Sequence, residues 1–179
     1  MSTFITSAQK AVPHIAQISH TLRTRYGHKA SYPGGVLFQY PTPETIGRLE
    51  EADLRACALG YRAKNLLKTA RMIANGTVDL DAISDLSDAE AREALCQLAG
   101  VGPKVANCVL LFGYERLSAF PIDVWIERVL RTLYFARKRR VTARRLREFA
   151  DSYFGPNGGY AQQYLFHHAR SAKTGRVKG

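Results

Sequence analysis

A chain of 179 residues, 46% hydrophobic and 23% charged, has an ordinary globular composition and about one domain's worth of length. No apolar run approaches the roughly 20 residues a membrane span needs, and the start does not read as a signal peptide, which predicts an intracellular protein without a membrane partner. The cysteines Cys57, Cys96 and Cys108 lack CxxC spacing, which argues against a disulfide framework and against zinc or iron–sulfur ligation, while a net charge of +11 points to a polyanion.

Helical signals dominate in chain order. Ile5, Ile15, Ile18 and Leu22 form the buried stripe of a first helix. Thr42-Pro43-Glu44 supplies an N-cap, a first-turn proline and an acid ahead of an amphipathic run that closes near Gly60. A further helix runs from about Arg62 to Asn75, with Gly76 as its stop, and Ser87 with Glu90 makes a capping box before Ala91–Leu98. Helices also fit Pro103–Phe112, Asp123–Phe135, Thr142–Tyr153 and Gly159–Arg170. Strand-like alternation is scarce and no linker interrupts the chain, so the expectation is an all-α helical bundle forming a single domain over 1–179. Between Arg131 and Arg147 eight basic residues occur without an acid (Arg131, Arg137, Lys138, Arg139, Arg140, Arg144, Arg145 and Arg147). They read either as a polyanion-binding surface or as a solvated basic face.

The stretch Leu98-Ala99-Gly100-Val101-Gly102-Pro103-Lys104 is the most informative. Gly100 and Gly102 accept backbone angles closed to other residues, and Val101 can tuck between the flanking helices. Pro103 suits a first helical position, so the turn ends at a helix N-terminus, a natural seat for a phosphate. This is a helix-hairpin-helix over 98–104, a sequence-independent grip on one DNA strand. An ordinary helix–helix turn does not account for both glycines, the proline and the basic surroundings together.

Two residues add chemistry. Lys104 lies in the first turn of the next helix, where the dipole disfavours an ammonium and helps an amine become nucleophilic, although nearby phosphates act oppositely. Asp123, in Phe120-Pro121-Ile122-Asp123, opens a helix whose amides keep it ionised. Such an anion beside a sugar can stabilise the positive charge of a breaking glycosidic bond. Alone, Lys104 reads equally as a phosphate contact and Asp123 as an N-cap.

With these motifs the chain resembles the helix-hairpin-helix glycosylases with a Gly/Pro-rich loop and an Asp, and within them the 8-oxoguanine DNA glycosylases. The resemblance runs from Phe4 to about Arg170 and is most specific at Leu98–Cys108, Phe120–Val124 and Gly155–Phe166. It implies a DNA glycosylase with lyase activity that excises an oxidised purine from duplex DNA, with Lys104 forming a Schiff base and Asp123 its paired carboxylate. It further implies Gln162 on the Watson–Crick edge of the flipped base, with Phe166 and Cys108 on its two faces; spacing alone puts Gln162 and Phe166 on one helix face, where core packing competes for Phe166 and Cys108. Tyr61 would wedge into the stack and Arg62 would contact the orphaned cytosine; otherwise they are a helix-end aromatic and a solvated charge. Gly100, Val101, Gly102, Gln9 and His14 would contact DNA. No cofactor is required, but the carbonyls of Cys96, Leu98 and Val101 would hold a K⁺, Na⁺ or divalent ion. The protein should act as a monomer.

Ala8-Gln9-Lys10-Ala11 replaces the family's Asn-rich run, His14 replaces a cytosine-gripping arginine, and Trp125 replaces a histidine after the aspartate. The family's N-terminal β-domain, which carries the carbonyl that reads the extra N–H of oxidised guanine, is expected to be absent. Two alternatives follow: a glycosylase of the same superfamily for another damaged or mismatched base, and a truncated, non-catalytic DNA-binding protein.

Overall fold

The computed structural model describes residues 1–6, 12–136 and 141–171. The chain is helical, as the periodicity predicts, with one small sheet that it does not predict, and it divides into two compact units. The first comprises Met1–Leu86 and Glu93–Gly102; the second comprises Ser87–Arg92 and the chain from Pro103 onward. No helix among the described residues is long and apolar enough to cross a membrane.

In the first unit the expected N-terminal stripe is carried by two helices, α1 (Ser2–Thr6) and α2 (Val12–Tyr26), with Ile5, Ile18 and Leu22 buried. A hairpin of β1 (Lys29–Tyr32) and β2 (Gly35–Phe38) follows, pairing Lys29 with Phe38 and Tyr32 with Gly35. Its strands are largely exposed, so no inward–outward alternation marks them in the sequence; Pro33-Gly34 at the turn is their only local signal.

The amphipathic run from Thr42 to Gly60 is broken into α3 (Pro43–Gly47) and α4 (Glu51–Arg55). Thr42 caps α3, but Glu50 starts a second capping box, its N–H donating to the Asp53 carboxylate at 2.9 Å, and this local pairing ends the first helix. The next helix, α5 (Arg62–Ala74), presents Ala63, Leu66, Leu67 and Ala70 at helical spacing and packs them toward α1, α3 and α4. Each buried leucine there contributes roughly 1.5–3 kcal/mol.

Helix α6 (Asp88–Cys96) begins in the second unit and ends in the first. Its capping box forms as expected, Ser87 N–H donating to Glu90 at 3.0 Å. The second unit continues with α7 (Pro103–Gly113), α8 (Val124–Tyr134), α9 (Ala143–Phe154) and α10 (Gly158–Ser171). Its core joins Phe120, Ile126, Leu130, Phe135, Val141 and Leu146, flanked by rings of α8 and α9 such as Tyr134, Phe149 and Phe154. The N-terminus of α10 presses on the connection between α7 and α8. Gly159 donates its N–H to the Leu117 carbonyl at 2.6 Å, and a Cβ there would fall 2.3 Å from Leu111 and 3.0 Å from that carbonyl.

Candidate active site and nucleic-acid interface

The hairpin is seated on α5. The Thr69 hydroxyl donates to the Ala99 carbonyl at 2.8 Å, Val101 is buried, and the Val101 N–H closes the turn on the Leu98 carbonyl at 3.1 Å. Only one of the two glycines is required by the backbone. Gly100 has φ +78°, and its Cα faces Asn65 so closely that a Cβ would lie 2.8 Å from Nδ2. Gly102 has no left-handed φ, and a Cβ on it would meet no atom of the chain within 4 Å. The expectation that both glycines serve forbidden angles is therefore corrected: Gly102 leaves open space at the tip, outside the chain.

Lys104 is the second residue of α7, half-buried, with its side chain in electrostatic reach of the Cys108 thiol one turn later. Asp123 is the N-cap of α8, its Oδ1 accepting the Ile126 N–H at 2.8 Å. Both charges act on the buried Cys108. Burial pushes the thiol's pKa up, Lys104 pulls it down and Asp123 raises it again, so the thiol stays neutral. Lys104, Cys108 and Asp123 thus share one electrostatic neighbourhood. An open hollow of about 570 Å³, mouth included, lies beside Lys104 and is lined also by Asn107, Ile122, Glu127, Leu146 and Arg147.

The other expected base-reading residues lie on α10 and do not line that hollow. Gln162 is buried, its Oε1 accepting from the Gln163 amide at 2.5 Å. Phe166 packs partly into the core, with the Arg170 guanidinium 5.6 Å from its ring centre. Core packing, the competing expectation for Phe166, is therefore realised in part.

Tyr61 is 56% exposed, as a wedge must be, but Arg62 is no solvated charge. It is buried beneath the Tyr61 ring at 4.3 Å and donates Nη1–H to the Leu59 carbonyl at 3.4 Å. His14 is half-buried on α2, whereas Gln9 lies outside the described residues. Arg137, Lys138, Arg139 and Arg140 of the basic stretch lie outside them as well. Of the remainder, Arg131 pairs with Glu127 at 2.7 Å, and Arg144 and Arg145 with Glu148 at 2.8 and 3.7 Å. Acids just outside the stretch therefore temper a charge that the local count overstates.

Among the described residues no cluster of His, Cys, Asp or Glu side chains is placed to hold a metal. The Cys96, Leu98 and Val101 carbonyls would be a different kind of donor, neutral and hard, and the Leu98 oxygen already accepts one N–H. Such oxygens fit a weakly held monovalent cation better than a divalent one, which needs carboxylates.

Sequence reasoning missed a polar net behind the site. Asp88 binds Arg116 at 2.8 Å and the Ser118 hydroxyl, and that hydroxyl, with Arg116 next, holds the Asp88 carboxyl below its usual range. Asn107, 5% exposed, donates to the Phe120 carbonyl at 3.3 Å and accepts from Arg92 Nε at 3.0 Å. The signal available was an asparagine set among the apolar residues of α7, Val105 to Leu111.

A glycine-bearing hairpin followed by a lysine and a helix-capping aspartate defines a class. A family model described as HhH-GPD superfamily base excision DNA repair protein matches residues 3–152, and the chain belongs to that superfamily. It is 34% identical over 185 residues to the probable N-glycosylase/DNA lyase of Methanothermobacter thermautotrophicus, covering 93% of this chain and 58% of that protein. The Clostridium acetobutylicum 8-oxoguanine glycosylase/lyase, solved with double-stranded DNA containing cytosine opposite 8-oxoG, is 37% identical. Its superposition gives a TM-score of 0.88 over 96% of this chain and 58% of that one. The 3-methyladenine DNA glycosylase of Archaeoglobus fulgidus, 24% identical with a TM-score of 0.75, covers 94% of this chain and 57% of that one and shares the fold. The chain thus spans a little under three-fifths of the length of these relatives.

Proposed function

We propose that the chain is the catalytic part of a base-excision-repair DNA glycosylase with AP lyase activity, acting as a monomer on oxidised guanine in duplex DNA. The observation that carries this reading is that Lys104 and Asp123 both act electrostatically on Cys108, on the helix that follows the hairpin in the chain. A clamp that only binds DNA has no use for an amine and a carboxylate gathered around a neutral thiol.

The hairpin takes a phosphate at its tip, where Gly102 leaves room for close approach. The target nucleotide swings out of the stack, because its anomeric carbon is shielded inside the helix. Tyr61 fills the gap it leaves, and Arg62, once extended from beneath that ring, reaches the orphaned cytosine, with His14 and Gln9 on the same strand. Gln162 turns its amide to the purine edge, while Phe166 and Cys108 cover the ring faces; a neutral Cys108 suits that apolar contact.

Lys104 Nζ, as the free amine, attacks C1′. The C1′–N9 bond breaks with its electron pair leaving on the base, which takes up a proton. Asp123 stabilises the positive charge that builds on the sugar. The sugar ring then opens to an imine on Lys104, and loss of a proton at C2′ expels the 3′ phosphate. The carbonyls of Cys96, Leu98 and Val101 would hold a K⁺, Na⁺ or divalent ion, whose charge would steady the hairpin, and no other cofactor is called for.

Single-turnover excision from duplexes carrying 8-oxoguanine, guanine, 3-methyladenine or uracil tests the substrate. Preference for 8-oxoguanine with release of a 3′-cleaved strand supports the reading, and preferred release of a pyrimidine or an alkylated base contradicts it.

A further inference from the structure

We propose that Asn107, oriented by Arg92, is a positioning residue that sets the distance between Lys104 and Asp123; the proposal rests on reading those two as the reacting pair. Asn107 lies three residues after Lys104, and its hydrogen-bond partner Phe120 lies three residues before Asp123. The bond therefore ties the helix that carries the amine to the segment that carries the carboxylate, close to both.

The anchor is a stiff one. Phe120 is buried and its ring stacks on Phe154 at 5.0 Å, so its carbonyl cannot drift with solvent. Pro121 follows, with a fixed φ, and passes the position of Phe120 on to Ile122 and Asp123. Arg92 Nε on the Asn107 Oδ1 leaves the amide nitrogen facing Phe120, which selects one of the two orientations an asparagine can take. Asparagine is a poor helix former, and a buried amide is costly unless bonded on both sides. Here it is bonded on both sides, and it also lines the hollow beside Lys104.

Asn107→Leu keeps the branching and heavy-atom count of the side chain, with somewhat more bulk, and removes both bonds. Under single turnover on an 8-oxoguanine duplex, its borohydride-trapping rate should fall roughly ten- to a hundredfold, the scale of a small misplacement of reacting groups. Affinity for a duplex bearing an inert abasic analogue should stay within about threefold, because no DNA contact is lost. Should Asn107→Leu fail to fold, Arg92→Leu, at a half-buried surface position, carries the same test with a smaller expected loss of about three- to tenfold.

The deciding readout is a double-mutant cycle with Asp123→Asn. If Asn107 acts through Asp123, Asn107→Leu or Arg92→Leu costs little further rate once the carboxylate is gone. Additive losses, or an unchanged rate in an otherwise intact protein, overturn the positioning role. An Asp123→Asn variant with full trapping activity instead overturns the underlying pair, and the proposal falls with it.

Discussion

Gly102→Ala and Gly100→Ala separate the hairpin's fold from its grip on DNA. At Gly100 a side chain meets two costs: the left-handed φ of +78°, roughly 1–2 kcal/mol for an L-residue, and overlap with Asn65 at 2.8–3.1 Å, roughly 1–3 kcal/mol of overpacking. Together these amount to about 2–5 kcal/mol, or a Tm lower by on the order of 5–20 °C for a chain of this size. At Gly102 neither cost applies, and the change should lie within about 0.5 kcal/mol. The methyl would instead occupy the space left for a phosphate, weakening binding by about tenfold, equally on damaged and undamaged duplexes, with the salt dependence little changed because no cation is lost. Thermal melts and fluorescence anisotropy at several salt concentrations measure both quantities. Full affinity in Gly102→Ala, or a loss confined to one lesion, would refute the phosphate seat.

Gln162→Ala and Phe166→Ala should each slow excision of oxidised guanine by about tenfold or more while binding to an abasic site survives, since stacking or edge contacts of this kind are worth roughly 1–3 kcal/mol. Equal loss of abasic-site binding would return both residues to a purely structural role. Tyr61→Ala should weaken binding to damaged duplex without lowering Tm, because the ring is already exposed; an unaltered affinity counts against the wedge. Asp88, whose folded pKa is depressed, stabilises fully above its ordinary value of 3.8, and that contribution is lost as the pH falls through the lowered value. Acid unfolding followed by circular dichroism should therefore begin at higher pH in Arg116→Leu, which removes one cause of the depression, and an unmoved acid limb would argue that Arg116 adds nothing.

What was legible in the sequence was chemistry confined to a few neighbouring residues. The hairpin, the Ser87–Glu90 box and the Asp123 cap each use partners within about one helical turn, which local reading recovers. The break between α3 and α4 was equally local but hidden inside an amphipathic pattern that continues across it. The exposed hairpin escaped because burial, which writes alternation into a strand, is absent from it. Arg62 beneath Tyr61, and Asn107 between Arg92 and Phe120, depend on partners that the fold brings together, and nothing in spacing distinguishes a buried arginine from a solvated one. The resemblance to the glycosylases pointed to Lys104 and Asp123, but the bonds of Asn107 to Arg92 and Phe120 needed coordinates.

The central claim is a covalent bond between Lys104 and C1′ of the damaged nucleotide. Borohydride reduction during turnover on an 8-oxoguanine duplex, followed by proteolysis and mass mapping, reads that bond directly. The account predicts a reduced sugar adduct on the peptide containing Lys104 and no adduct in Lys104→Gln. An adduct on another lysine, or undiminished cross-linking in Lys104→Gln, would contradict it.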